Sequence, residues 1–243
     1  MKKKNKITAI VQARMGSQRL PGKVLMPLAE TKLISLLLAR LNRSTMIDEI
    51  IVAIPDTTKD KELQNYIKSI GYSFFVGSEH DVLGRYFMAS QTVNASNIVR
   101  ITGDCPLVDP KIVDCVVKAY LETKVDYCSN VCPPSFPDGF DVEVFSFSAL
   151  AKANSAEITQ PTREHVTSQF RDGKHYSTHN VSWKKNLSNL KMSVDTKEDF
   201  ERVAKICAFF TGNIHFSWLQ ALDALKAFGF DTDHDRRKGV ISP

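Results

Sequence analysis

The stretch Ile7-Thr8-Ala9-Ile10-Val11-Gln12-Ala13-Arg14-Met15-Gly16-Ser17-Gln18-Arg19-Leu20-Pro21-Gly22-Lys23 joins a short apolar run to a loop dense in small residues and cations. Its first six residues read as a buried strand, because they are brief, apolar and cut off by glycine and proline. Outward from it, residues 32–42 (KLISLLLARLN) carry apolar side chains at helical spacing. IIVAIP (50–55) is a second buried strand stopped by Pro55, followed by a helix near 58–69 and a third strand, SFFVG (73–77). A helix over 81–93, a fourth strand NIVRITGD (97–104) and a helix over 111–122 complete the first half. Pro110 suits the start of that last helix, where no N–H is needed, and Asp109 caps it. Four strand–helix alternations predict an α/β protein whose mostly parallel sheet is covered by helices on both faces.

The second half is less regular. A Pro/Gly loop, PPSFPDG (133–139), leads into DVEVFSF (141–147), whose alternation predicts a half-exposed strand. A helix near 161–171 and a strand near 176–182 follow. KMSVDTKEDFERVAKIC (191–207) predicts a strand, a turn and a helix capped by Asp195 or Thr196. A last amphipathic helix falls near 217–228, and 231–243 reads as a charged, loosely held tail. No repeat or linker divides the chain, so a single domain over 1–243 is expected, with an irregular middle extension at about 130–185.

Composition narrows the function classes. The 243 residues are 43% hydrophobic and 24% charged, with a net charge of +5, as in an ordinary folded domain. Part of that charge is the Lys2, Lys3, Lys4, Lys6 cluster. Basic and aromatic residues are not interleaved as they are in proteins that stack on bases, so no nucleic-acid partner is expected. The five cysteines are scattered, with no zinc-site spacing and no disulfide framework. No signal peptide or membrane span is expected, and the chain reads as cytoplasmic.

The loop after the first strand carries the chemistry. A loop leaving the carboxyl end of a strand in an open parallel sheet is where ligands bind. Small residues let backbone N–H groups approach phosphate oxygens, and Arg and Lys neutralise them. Two phosphate-loop motifs are excluded by counting: five residues separate Gly16 from Gly22, Val24 follows Lys23, and no GxGxxG is present. A second candidate is Asp104, in Gly103-Asp104-Cys105-Pro106 at the end of the fourth strand, and a third is Asp195, in Ser193-Val194-Asp195-Thr196. Two carboxylates on a triphosphate would suit Mg²⁺, which takes one or two carboxylates with phosphate oxygens and water. The residues alone leave Asp195 open between this role and a helix cap, and Asp104 between it and a strand-end turn.

The pattern A-R-x-x-S-x-R-L-P-G-K after the first strand resembles the signature of the sugar-nucleotide cytidylyltransferases. The nearest resemblance is to the spore-coat polysaccharide branch, beside those activating sialic-acid-type and 3-deoxy-octulosonic sugars. It runs through VQARMGSQRLPGKVL (11–25), VGSEHDVLGRY (76–86), RITGDCPLVDP (100–110), DGFDVEVF (138–145), REHVT (163–167) and VDTKEDF (194–200). The resemblance implies a three-layer Rossmann-like nucleotidyltransferase fold, and transfer of CMP from CTP to a small anionic acceptor such as a sugar acid. It implies Mg²⁺ on Asp104 and Asp195 and a nucleotide site at Ala13, Arg14, Met15, Gly16, Ser17, Arg19, Lys23 and Asp104, with Arg19, Lys23 and Asp104 catalytic. Ser78 and Arg85 are open between that site and a plain helix start, with Arg85 on a solvated face.

Asp141, Glu143, Arg163, Glu164 and His165 resemble the blocks near the acceptor. Arg163 would take an anionic group and Glu143 a hydroxyl, while His165 is open between a general base and an ordinary helix histidine. A homodimer through about 130–185 is also implied. A phosphorylated or phosphonate-like acceptor is the alternative within the family. The rivals of other classes are a glycosyltransferase, whose usual DxD motif is matched only by DTD and DHD at 231–235, and a non-catalytic nucleotide-binding protein.

Overall fold

The opening apolar run forms strand β1 (Ile7–Gln12) in the middle of a seven-stranded sheet. The computed structural model describes residues 5–171 and 173–229; Lys2 to Lys4, the tail expected at 231–243 and its DTD and DHD triplets lie outside them. A two-stranded ribbon, β2 (Pro27–Leu28) with β3 (Thr31–Lys32), precedes α1 (Leu33–Leu41). Then come β4 (Glu49–Pro55), α2 (Lys61–Ser69), β5 (Ser73–Gly77), α3 (Val82–Thr92), β6 (Asn97–Thr102) and α4 (Pro110–Thr123). The rest comprises β7 (Tyr127–Ser129), β8 (Glu143–Ser146), α5 (Phe147–Ser155), α6 (Gln160–Glu164), β9 (Thr178–Asn180), α7 (Lys197–Phe209) and α8 (Trp218–Ala227).

Strand periodicity builds the layers, because successive side chains point to opposite faces. Ala9 and Val11 of β1 join one core and Ile10 the other; Val52 and Ile51 of β4 divide likewise, as do Val99 and Ile98 of β6. The first core is roofed by α1, α2, α4, α7 and α8, the second by α3 and α5. Leu33, Leu36, Leu37 and Leu41 of α1 are fully buried, and each Leu→Ala there would cost about 2–5 kcal/mol.

The strand order is β5-β4-β1-β6-β8-β7-β9. β4, β1 and β6 run parallel in adjacent positions, with β5 parallel on the outside; β8 is antiparallel to both neighbours, and β9 runs parallel to β7. The chain therefore proceeds from β1 to β4 and β5 on one side, then returns to place β6 on the other. That reversal opens a crevice outside the carboxyl ends of β1 and β6, where ligands bind in open α/β sheets.

Three sequence expectations are corrected in the second half. The half-exposed strand at 141–147 is the shorter β8, buried at Glu143, Val144 and Phe145 because it lies between β6 and β7 with helices on both faces. Ser146 then ends it by capping α5, accepting from Ala149 N. The single helix near 161–171 is instead the five-residue α6 and a 3-10 turn at Ser168–Phe170, broken at Val166 with φ +56°. The strand expected before Asp195 is an extended segment with one isolated bridge, Asp138 to Lys191, since its amides bond to loops instead of a strand.

Candidate active site

The crevice between β1 and β6 holds a cavity of about 340 Å³. Its floor is the carboxyl edge of those strands, Gln12 and Ala13 on one side and Thr102, Gly103 and Asp104 on the other. Gly103 N donates to Gln12 O at 2.7 Å, and a Cβ on Gly103 would lie 2.8 Å from that same oxygen. The glycine lets the two strand ends close over each other.

Arg14, Ser17, Gln18, Arg19, Lys23 and Val24 supply one wall. Their loop is pinned at both ends. Met15 N donates to Asp60 Oδ1 at 2.7 Å, and Gly22 N donates back to Met15 O at 2.9 Å. Gly22 adopts φ +72°, a left-handed conformation that glycine takes without strain. Asp60 is itself buried and held by Thr57 Oγ1 at 2.6 Å. It anchors the loop from 45 residues away, a role with no motif to announce it.

The opposite wall carries the two aspartates. Val194 N donates to Asp104 O at 2.8 Å, which ties the segment before α7 to the end of β6. Lys23, almost fully buried, reaches from the loop to both: its Nζ lies 3.4 Å from Asp104 Oδ2 and 3.1 Å from Asp195 Oδ1, and donates to Val194 O at 2.6 Å. Asp195 also pairs with Arg19 at 3.1 Å and Lys191 at 2.9 Å. Partial burial raises its carboxyl, but the Lys191 hydrogen bond and the Lys23 and Lys191 charges outweigh that and leave it below its ordinary value. It therefore stays ionised.

The cap is elsewhere. Thr196 caps α7 in a reciprocal box with Asp199, so Asp195 does not serve the helix. The neighbouring Cys105 thiol is buried and pushed up by burial and by Asp104, which keeps it protonated.

The arrangement fits a hard divalent cation in a limited way. Among the described residues no three His, Cys, Asp or Glu groups converge on one point. Asp104 and Asp195 are already bridged by one cation, Lys23 Nζ, and offer only carboxylate oxygen. That donor set matches Mg²⁺, which completes its shell with phosphate oxygens and water.

Of the other sequence candidates, Glu164 is exposed on α6 and lines the same cavity. Met15 and Gly16 belong to the loop without lining the cavity. Asp141 lines a neighbouring cavity with Arg19 and Asp195. Ser78 Oγ accepts from Asp81 N, and Asp81 caps α3. Arg85 is not on a solvated face: it is 2% exposed, and its guanidinium donates to Ser78 O. Arg163 forks onto Asp81 at 2.9 and 2.8 Å and bonds Asn154, so its charge is spent inside the chain. His165 is exposed and lines neither cavity. Glu143 is 2% exposed and gripped by Arg100, Arg171 and Tyr127, away from both cavities. Sequence reasoning also missed Lys191, whose pairing with Asp195 arises in an extended segment where i,i+4 spacing predicts nothing.

Among the described residues, no helix is long and apolar enough to cross a membrane. A family model described as Cytidylyltransferase matches residues 8–228. The chain is 32% identical over 209 residues to spore coat polysaccharide biosynthesis protein SpsF of Bacillus subtilis, covering 82% of this chain and 85% of that one. It is 41% identical over 162 residues to protein MJ1063 of Methanocaldococcus jannaschii, covering 67% of this chain but only 65% of that one. Its fold superposes on the structure of a cytidylyltransferase from Leptospira borgpetersenii with a TM-score of 0.89 and 31% identity, covering 93% of this chain and 95% of the other.

Proposed function

The chain belongs to the cytidylyltransferase family, whose members are nucleotidyltransferases, and on that premise we propose that it transfers CMP from CTP to a small anionic acceptor, a sugar acid, for surface polysaccharide biosynthesis. The single observation that carries the reading is the convergence of Arg19 and Lys23 with Asp104 and Asp195 at the crevice between β1 and β6. The polysaccharide assignment is supported by the likeness to SpsF.

A hydroxyl oxygen of the acceptor attacks the α-phosphorus of CTP in line and gives up its proton to solvent water at the open crevice. The new P–O bond forms as the bond to the bridging oxygen breaks, and pyrophosphate leaves with the charge. The loop 13–23 binds the triphosphate, with backbone N–H groups and Ser17 facing phosphate oxygens. Arg19 and Lys23 stabilise the charge that grows on the phosphates, which is the main work of a protein in such transfers. Asp104 and Asp195 would hold Mg²⁺, which supplies Lewis-acid polarisation of the phosphate when bound. The segment about 130–185 serves as a homodimer contact in this reading, and light scattering of the purified chain checks it.

A pyrophosphate-release screen tests the whole, crossing four nucleoside triphosphates with sugar acids and with phosphorylated or phosphonate acceptors. CTP is expected to be the preferred donor. Arg19→Ala is expected to lower kcat/KM by about two powers of ten or more, the scale for losing one charge-stabilising group. Near-normal turnover by Arg19→Ala, or a crystal with CTP bound away from Ser17, Arg19 and Lys23, would overturn the reading.

A further inference from the structure

Every donor of the Lys23 ammonium is engaged. An ammonium carries three N–H groups, and Lys23 Nζ meets three acceptors: Val194 O at 2.6 Å, Asp195 Oδ1 at 3.1 Å and Asp104 Oδ2 at 3.4 Å. Its side chain is 10% exposed and starts from the 3-10 turn Lys23–Leu25, whose other residues are also buried. The transfer reaction asks the same ammonium to meet phosphate oxygens. It cannot hold both sets of acceptors at once.

The aspartates are claimed twice as well. Lys23 touches both of them, through Asp195 Oδ1 and Asp104 Oδ2, while Asp195 Oδ2 takes Arg19 at 3.1 Å and Lys191 at 2.9 Å. A divalent ion held by this pair needs carboxylate oxygen that no ammonium occupies. Two cations side by side where water is scarce also repel each other strongly. Lys23 and the metal are therefore rivals for one place.

The spacing of the two aspartates does not depend on Lys23. Val194 N donates to Asp104 O at 2.8 Å, and Asp195 N and Thr196 N donate to Asp199 Oδ2, each at 3.1 Å. These backbone bonds hold the end of β6 against the segment before α7, so withdrawing the ammonium leaves the pair in position. The head of a lysine swings on a flexible four-carbon stem. The cavity of about 340 Å³ that Lys23 lines with both aspartates gives it room to move.

We propose that Lys23 makes metal binding conditional on nucleotide: its ammonium and a divalent cation compete for Asp104 and Asp195, and a triphosphate ends the competition by drawing the ammonium onto its own oxygens. By linkage, nucleotide and metal then raise each other's affinity by the same factor. The proposal rests on the cytidylyl-transfer reading and adds an order of assembly to it. The chain takes its divalent ion with or after the nucleotide, not before.

The test measures Mn²⁺ binding to the full chain by water-proton relaxation, with Mg²⁺ calorimetry beside it. Wild type, Lys23→Met, Lys191→Met and the double variant Lys23→Met/Asp195→Asn are compared, each with a melting curve. With metal alone, Lys23→Met is expected to bind about 10-fold or more tightly than wild type, within the usual range of coupling between sites. Lys191→Met, which removes a charge without clearing the place between the aspartates, is expected to stay near wild type, and the double variant to lose the gain. Adding CTP is expected to tighten Mn²⁺ binding to wild type by about 10-fold or more and to help Lys23→Met much less. Equal metal-alone affinity in wild type and Lys23→Met, or an equal gain in Lys191→Met, would overturn the proposal. Should Lys23→Met fail to fold, wild type decides: Mn²⁺ binding that is as tight without CTP as with it overturns the proposal. Failure of wild type to bind CTP would instead bring down the cytidylyl-transfer reading, while the metal-alone comparison would still test the rivalry.

Discussion

Two clusters of similar composition lie within this molecule and meet opposite fates. At the crevice, Lys23, Arg19 and Lys191 surround Asp195 and Asp104, whose side chains remain 22% and 31% exposed. On the face of the sheet covered by α3 and α5, Arg100, Arg171 and Tyr127 surround Glu143, whose side chain is 3% exposed. Arg100 and Glu143 are register partners across β6 and β8, so the pair is built into the sheet itself. Burial of the acid with a cation on each of its oxygens makes this charge cluster structural. The same groups at a strand end, with solvent access and a cavity in front of them, can exchange partners when a ligand arrives. Burial, more than residue type, marks the difference.

The sharpest way to break that contrast is to remove the buried acid. Glu143→Gln is expected to cost about 3–5 kcal/mol in urea unfolding, the scale for leaving buried charge without its partner, with CTP affinity preserved. A variant of wild-type stability that lost acceptor binding would move Glu143 to the crevice's side of the comparison. Next in size is Lys23→Met, expected to lower kcat by about 10²–10³-fold while losing less stability than Glu143→Gln. Equal stability losses in the two variants would erase the distinction.

Acid sharpens it further. Burial raises the Glu143 carboxyl, but the Arg100 and Arg171 charges and the Tyr127 and Arg171 hydrogen bonds pull it down to about 2, from an ordinary value of 4.5. The folded chain keeps it ionised while the unfolded chain takes up a proton. Its contribution is therefore complete above the unfolded value and is lost as pH falls from about 4.5 toward 2, amounting to about 3 kcal/mol at ~1.4 kcal/mol per pH unit. Unfolding curves across that window are expected to flatten in Glu143→Gln. The smallest effect belongs to the cap beside the crevice: Thr196→Ala is expected to cost about 1 kcal/mol and to leave the KM for CTP unchanged, since Asp195 does not depend on it.

The first half of the fold was legible because its strands and helices are set by local periodicity and punctuated by proline and glycine. The place of the loop 13–23 at a strand end was legible for a related reason, since glycine and proline cut off the apolar run before it, and several of its residues line the cavity there. The second half failed where tertiary partners override pattern. The alternation of DVEVFSF implied a wet face, yet Glu143 is buried against Arg100 and Arg171; Arg163 and Arg85 read as free cations, yet Asp81, Asn154 and Ser78 hold them.

The sequence by itself determined the alternating α/β plan and the cationic loop after the opening strand, because each rests on neighbours within a few residues. Tertiary structure alone decided that β6 returns beside β1, that Val194 bonds to Asp104, that Asp60 anchors Met15, and that Lys23 spans both aspartates. Those contacts join residues 45 to 172 positions apart. Their energies depend on burial and partner geometry, which no local pattern encodes.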